Sequence, residues 1–385
     1  MNELNISTII AQNRREKAMT QEQLASYMGV SKASVSKWET GQSYPDITFL
    51  PQLATLFNIS IDQLMGYSPQ MTKEEIRKLY QRFSKAFAEK PLEEVLEELK
   101  ETEKKYYSCF PLLYQLAALL LNHFMLTENR ERQLEILAEA EALCGRVAAE
   151  SKDPRLSREA VSLQAMCLLI SQQPEKVLEL LGEDLRPMVN DETGLAQAYL
   201  MLGNADEARR VTQVSVYQHL LIFMSTATTL LSLQPNQFEM LLKRLLITAE
   251  TFELEKLHPN TMALLCLQGA QGYCQKLMGG TDPEPEKAAS EALGLLKKYT
   301  DLCTSGFFPY SLHGDDLFTD LDNWFADFDL GSGYPRSEKV IRESMLQGVE
   351  QNPFFKVLED REEFRKIVSA LKANLIFLDS DFLIY

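Results

Sequence analysis

The stretch TQEQLASYMGVSKASVSKWETGQSYPDITFLPQLATLFNISIDQL, residues 20–64, constrains the fold more than any other part of the chain. Thr20 with Gln23, and Ser60 with Gln63, fit a reciprocal cap in which a hydroxyl accepts from an early helix amide and the later side chain reaches back. Each pair announces a helix start. Between them, Ala25, Gly29 and Val35 stand at the spacing of two short helices joined by a tight turn. Ala25 is small where the helices cross steeply, Gly29 takes the left-handed conformation of the turn, and Val35 plugs the crook from the second helix. Leu24 and Met28 face the same core. Ser31 caps the second helix, KASVSKWE, and Lys32, Ala33, Ser34 and Lys37 fall on its outer, N-terminal side.

In a helix-turn-helix, that end of the second helix enters a major groove. Residues 6–66 resemble the XRE family of Cro/repressor-like DNA-binding domains, on the strength of TQEQLA, the Gly29 turn, SKWETG followed by Pro45, and the closing SIDQLMG. The resemblance covers about one sixth of the chain and implies five helices, the second and third forming the helix-turn-helix. It further implies that Gln21 contacts a phosphate and braces the reading helix, and that Lys32, Ala33, Ser34 and Lys37 meet base edges or nearby phosphates. Lysine donates to guanine O6 and N7, serine pairs with either kind of partner, and Ala33 suits a thymine methyl. Gln42, Ser43 and Tyr44, in the following loop, approach the DNA backbone. Arg14 and Glu39 occupy the places where this fold often sets an internal ion pair, and Trp38 is read as packing rather than base stacking. Arg15 and Lys17 suit either a phosphate or plain solvation.

Charge bounds how such a domain works. The chain has 39 basic and 55 acidic residues, net −16, which repels a polyanion unless the contact is local. Residues 1–66 hold five basic residues (Arg14, Arg15, Lys17, Lys32, Lys37) against six acidic ones, so nearly all the excess negative charge lies beyond them. With so few cations a single domain binds weakly. Useful affinity calls for two domains on half-sites about 10 base pairs apart, and a homodimer is therefore expected.

At 385 residues, with 45% hydrophobic and 24% charged residues, the chain is globular and long enough for two or three domains. Six dispersed cysteines without a CxxC pair read as reduced thiols in helix cores. The first 20 residues lack a long apolar run and a cleavage site, and FPLLYQLAALLLNHFMLT is interrupted by Gln115, Asn122 and His123, so a buried helix is expected there and a cytoplasmic location overall.

Gly66, Pro69 and a cap at Thr72 mark a linker over residues 67–72 between a DNA-binding domain, residues 1–66, and a helical repeat-like dimerisation or sensor domain, residues 73–385. Beyond it apolar residues recur at helical spacing, as at Ile76, Leu79, Tyr80, Phe83 and Phe87, and the expected fold is all-α throughout. Prolines at 91, 111, 154, 174, 235, 259 and 285 punctuate the helices, and Pro187 and Pro283 are further expected breaks.

GLAQAYLMLGNADEARRVTQ resembles a tetratricopeptide repeat, with Leu195, Ala196 and Tyr199 on a first helix, Gly203 at its end, and Glu207 and Ala208 on the next. Gly269, Ala270, Tyr273, Leu277 and Gly279, leading into a helix over residues 287–299, echo it. The acidic, aromatic run DDLFTDLDNWFADFDLG reads as irregular packing, and the closing ANLIFLDSDFLIY as a β-leaning tail.

Joined to a Cro/repressor-like domain, this architecture is similar to the peptide-responsive regulators of Gram-positive bacteria. The resemblance implies a peptide or small-molecule effector, alongside plain dimerisation. An acidic helical surface would favour a basic ligand or simply be solvated. Enzymatic classes find no support. His123, His219, His258 and His313 are isolated, and there is no HExxH, GxSxG or phosphate-binding glycine loop. His123 reads as a core residue, and Asp315, Asp316, Asp320 and Asp322 lack the spacing of a calcium loop, so no metal or cofactor is expected. The alternative to a transcriptional regulator is an interaction scaffold whose helical domain carries the function, with only weak DNA contact.

Overall fold

The computed structural model describes residues 5–66, 70–184, 191–280, 283–305 and 307–375, and among these it contains helices and no strands. The chain divides into two units, Met1–Lys78 with Pro91–Gly182, and Leu79–Lys90 with Glu183–Tyr385.

The first unit begins with α1 (Ile6–Glu16), α2 (Gln21–Met28), α3 (Lys32–Glu39), α4 (Leu50–Phe57) and α5 (Ile61–Met65). Both reciprocal caps are present: Thr20 Oγ1 and Ser60 Oγ accept from Gln23 N and Gln63 N, and each glutamine side chain accepts from its cap residue's own amide. Gly29 ends α2 with φ +68°, a conformation that costs a residue with a Cβ roughly 1–2 kcal/mol. The reversal is closed by Val30 N donating to Ala25 O at 3.0 Å. Leu24, Ala25, Met28, Val35, Trp38, Leu53, Phe57 and Leu64 join Ile6 and Ile10 in one buried cluster.

After residues 67–69, which lie outside the described set, Thr72 caps the next helix: its hydroxyl accepts from Glu75 N, and the Glu75 carboxylate accepts from Thr72 N. That helix is α6 (Lys73–Glu89), most of which, from Leu79 on, belongs to the second unit; the first unit continues with α7 (Leu92–Lys105), α8 (Phe110–His123), α9 (Arg130–Glu150), α10 (Pro154–Ile170) and α11 (Pro174–Leu181). The helix made from FPLLYQLAALLLNH packs against α7, α9 and α10 with nine of its residues buried, including His123, whose Nδ1 lies 2.8 Å from Leu119 O. Arg132 holds Glu93 through two hydrogen bonds, 2.9 and 2.7 Å, and so ties α9 to α7.

In the second unit α12 (Asp191–Met201) and α13 (Ala205–Leu233) form the hairpin expected from the repeat-like stretch, turning at Gly203 with Ala196 and Ala208 buried. They are followed by α14 (Phe238–Thr251), the short α15 (Leu254–Leu257), α16 (Pro259–Met278), α17 (Pro285–Thr304), α18 (Leu321–Ala326), α19 (Glu338–Glu350) and α20 (Glu362–Leu375). Helices α16 and α17 form the second hairpin, and α13 packs on α14 and α16. Gly272 permits a close approach: a Cβ there would sit 2.1 Å from the Phe238 ring. Prolines 154, 174, 259 and 285 open helices, where the missing amide costs nothing. Pro187 lies outside the described residues.

Three features differ from the sequence reading. The acidic, aromatic run packs into the core as expected, but it is not irregular throughout, since it contains α18. Phe318 and Phe325 meet Tyr217 of α13 edge-on, with ring centroids 5.9 and 5.5 Å away. Its aspartates shape the backbone, Asp315 accepting from Leu317 N and Phe318 N, and Asp320 pairing with Arg209. Secondly, Ala373, Asn374 and Leu375 continue α20 instead of entering an extended tail, because Leu375 packs into the core; residues 376–385 lie outside the described set. Thirdly, α13, expected as the second helix of the repeat-like hairpin, runs on to Leu233 and is long and apolar enough to cross a bilayer by length and composition, although eight of its residues are buried. All six cysteines are buried and unbridged.

Candidate nucleic-acid interface

The candidate interface is α3, held by a clasp on its C-terminal end. Glu39 Oε1 accepts from Arg14 Nε at 2.5 Å, and its Oε2 accepts from Arg14 Nη2 and from Gln21 Nε2, both at 2.9 Å. Arg14 Nη1 also donates to Met19 O at 2.7 Å. One carboxylate therefore joins the ends of α1 and α3 to the start of α2. The planar guanidinium fork makes a bidentate pair that lysine cannot reproduce. Burial acts to raise the Glu39 pKa, but hydrogen bonds from Arg14 and Gln21 outweigh it and leave the carboxyl below its ordinary value. The Glu39 hydrogen bond correspondingly raises that of Arg14.

With its inner face packed and its end clasped, α3 turns a polar face to solvent. Lys32, Ala33 and Lys37 are exposed, Ser34 half-buried, and Val35 and Trp38 fully buried. Trp38 sits against Phe49 with ring centroids 5.7 Å apart, as the packing reading requires. Ser31 Oγ accepts from Ser34 N and lies 2.8 Å from Ser34 Oγ, so the cap also orients a candidate base-reading hydroxyl. The loop beyond is drawn onto the helix end by Gln42 N and Ser43 N, both donating to Lys37 O, and leaves Gln42 and Tyr44 exposed with Ser43 half-buried.

Two details escaped the sequence reading. The Gln21 amide, expected on a phosphate, donates to the Glu39 carboxylate, a specific partner the sequence did not name. Glu22 lies 3.4 Å from the Lys32 ammonium, with both side chains well exposed. Adjacent residues on one helix point in different directions, and the cross-helix partner of Lys32 depends on the angle between α2 and α3, which no local pattern prints.

Residues 10–64 match the helix-turn-helix family. Over 82 residues the chain is 32% identical to an uncharacterised helix-turn-helix transcriptional regulator, YobD of Bacillus subtilis, covering 21% of this chain and 70% of that one. Over 66 residues it is 38% identical to the helix-turn-helix transcriptional activator BcrR of Enterococcus faecalis; the match covers 17% of this chain and about a third (32%) of the relative's length. A looser likeness is to the apo form of the competence regulator ComR from Streptococcus vestibularis, with 12% identity, TM-score 0.27, and coverage of 82% of this chain and 95% of that one. The chain belongs to the XRE-family helix-turn-helix transcriptional regulators.

Proposed function

We propose that the protein is a sequence-specific, operator-binding regulator that acts as a homodimer in the bacterial cytoplasm, with residues 1–66 reading DNA and residues 73–385 dimerising and receiving an effector. The observation that carries this is the clasped reading helix. Arg14, Gln21 and Glu39 fix α3 while leaving Lys32, Ala33 and Lys37 exposed on one side. A rigid helix lets its polar side chains meet base edges with little loss of conformational freedom on binding. Ser34 joins them as a donor or acceptor. Gln42, Ser43 and Tyr44 supply backbone contacts that set register without carrying sequence information. The low count of cations makes a second copy on a second half-site the source of useful affinity.

The effector reading draws on the second unit. No charged residue occurs from Val211 to Phe238 or from Leu257 to Gln275. The exposed positions there include Val216, His219, Ile222 and Phe223 on α13, and Asn260, Leu264, Gln268 and Gln275 on α16. Surfaces that serve only solubility carry charge, whereas amides and apolar side chains suit a bound chain's peptide groups and side chains. A neutral, apolar effector such as a peptide fits these faces better than the basic ligand an acidic surface would select. The same faces also suit a protein partner, which keeps the scaffold reading as the alternative.

Binding to short duplexes across rising salt, with wild-type protein and the Lys32→Ala and Lys37→Ala variants, separates the two. A regulator loses affinity in both variants while circular dichroism is unchanged. Equal affinity in all three proteins, with a shallow salt slope, supports the scaffold.

A further inference from the structure

The segment between α17 and α19 connects a cavity to the helix that follows the DNA-binding domain. The cavity, about 530 Å³, lies where Lys256 and Pro259 meet Phe307, Pro309, Tyr310 and His313. That volume is within the range of small-molecule sites, which combine aromatic and apolar walls with a few polar groups. Its charged groups are already matched: Lys256 pairs with Glu253 at 2.6 Å, and Glu255 with Lys298 at 3.2 Å. Rings and prolines make up half of the lining, and Leu302, Ser305 and Ser311 supply an apolar side chain and two neutral hydroxyls. This chemistry suits an uncharged aromatic ring.

Tyr310 belongs to the cavity wall and also to a stack behind it. Its ring lies 3.8 Å from that of Tyr334, centroid to centroid and nearly parallel, and Phe307 stacks on both. The next residue, Pro335, offers its carbonyl to two donors on α6, Tyr80 Oη at 2.9 Å and Ser84 Oγ at 3.4 Å. Tyr80 and Ser84 are buried, as are Phe83 and Phe87 on the same helix. The helix carrying these donors starts at Lys73, only a few residues after Gly66 closes the DNA-binding domain.

We infer that this cavity is an effector site for an uncharged aromatic ring, coupled to the DNA-reading domain through the Tyr310–Tyr334 stack and the hydrogen bonds from Tyr80 and Ser84 to Pro335. The inference rests on the DNA-binding reading above and adds a site and a route. A ring entering beside Tyr310 competes for the face that Tyr334 covers. Any displacement of Tyr334 moves the adjoining Pro335 carbonyl, and α6 either follows or loses two hydrogen bonds. Coupling arises only because the two positions of that carbonyl differ in how well they hold α6. The ring comes either from a free small molecule or from an aromatic side chain of a peptide.

The test uses the full-length protein with indole as the free ring and the tripeptide Gly-Trp-Gly as the peptide-borne one. Saturation-transfer NMR reads ring binding, and fluorescence anisotropy reads affinity for a duplex enriched from random DNA. At least one probe should bind and change DNA affinity by about five-fold or more, a typical coupling. Indole alone points to a small molecule, and Gly-Trp-Gly alone to a peptide.

Tyr310→Ala should abolish probe binding and Tyr310→Phe should restore it, while Tyr80→Phe should keep probe binding and lose most of its effect on DNA. If Tyr310→Ala fails to fold by circular dichroism, Tyr80→Phe carries the decision on coupling and the wild-type NMR the decision on binding. Failure of both probes to bind at millimolar concentration overturns the site. Binding with unchanged DNA affinity, or an undiminished effect in Tyr80→Phe, overturns the route. Absence of DNA binding without any probe is a different result and counts against the regulator reading itself.

Discussion

Glu39 is the residue that clasps the end of α3, the helix proposed to read DNA. Removing its partner by Arg14→Ala leaves a largely buried carboxylate unmatched, and should destabilise the N-terminal domain by about 3 kcal/mol in chemical denaturation. The pH dependence follows from the direction of the shift. The folded carboxyl sits below its ordinary value, so its stabilising contribution is complete above the unfolded pKa, about 4.3, and is lost as pH falls through the lower folded value. Thermal melts from pH 6 to pH 3 should therefore show the gap between wild type and Glu39→Gln narrowing as the solution acidifies; a constant gap contradicts this role.

At the reading face, Lys37→Ala should weaken DNA binding without altering the melting temperature, and if Lys37 meets a phosphate the salt slope should fall by about 1. Sequence made these residues legible because caps, a turn glycine and a plug residue act over a few positions. It left Glu22 beside Lys32 hidden, since that pairing is set by two helices crossing.

At the level of elements, the turn and the hairpins carry the predictions. Gly29→Ala must hold φ near +68° with a Cβ, at a cost of about 1–2 kcal/mol, and should lower the domain's melting temperature while leaving α3's exposed side chains unchanged. Gly272→Ala drives a Cβ into the Phe238 ring, and should cost about 1–3 kcal/mol in the second unit unless that ring moves aside. The α12–α13 hairpin could be read from Ala196, Tyr199, Gly203 and Ala208 because small, aromatic and turn residues fall at fixed offsets. The length of α13 was not legible in the same way, since from Val211 to Leu233 the helix has neither a charge nor a proline to mark a stop before Gln234. The acidic, aromatic run could be read as packing, but its partner could not: Tyr217 lies about a hundred residues away in sequence, and only the folded chain shows that Phe318 and Phe325 meet it.

Across the whole molecule, function turns on how charge is distributed. On the proposed reading, a chain of net −16 approaches DNA through a domain with five cations against six anions, and affinity and specificity come from placing two copies of α3 at once. The expected half-site spacing is about 10 base pairs, or one turn of the duplex. Selection of bound sequences from random DNA by the purified full-length protein at moderate salt tests this most directly. The account predicts one enriched, palindromic or pseudo-palindromic site with that spacing, lost in the Lys32→Ala and Lys37→Ala double variant. No enrichment by either the full-length chain or residues 1–70 alone would contradict it and leave the helical units as the seat of function.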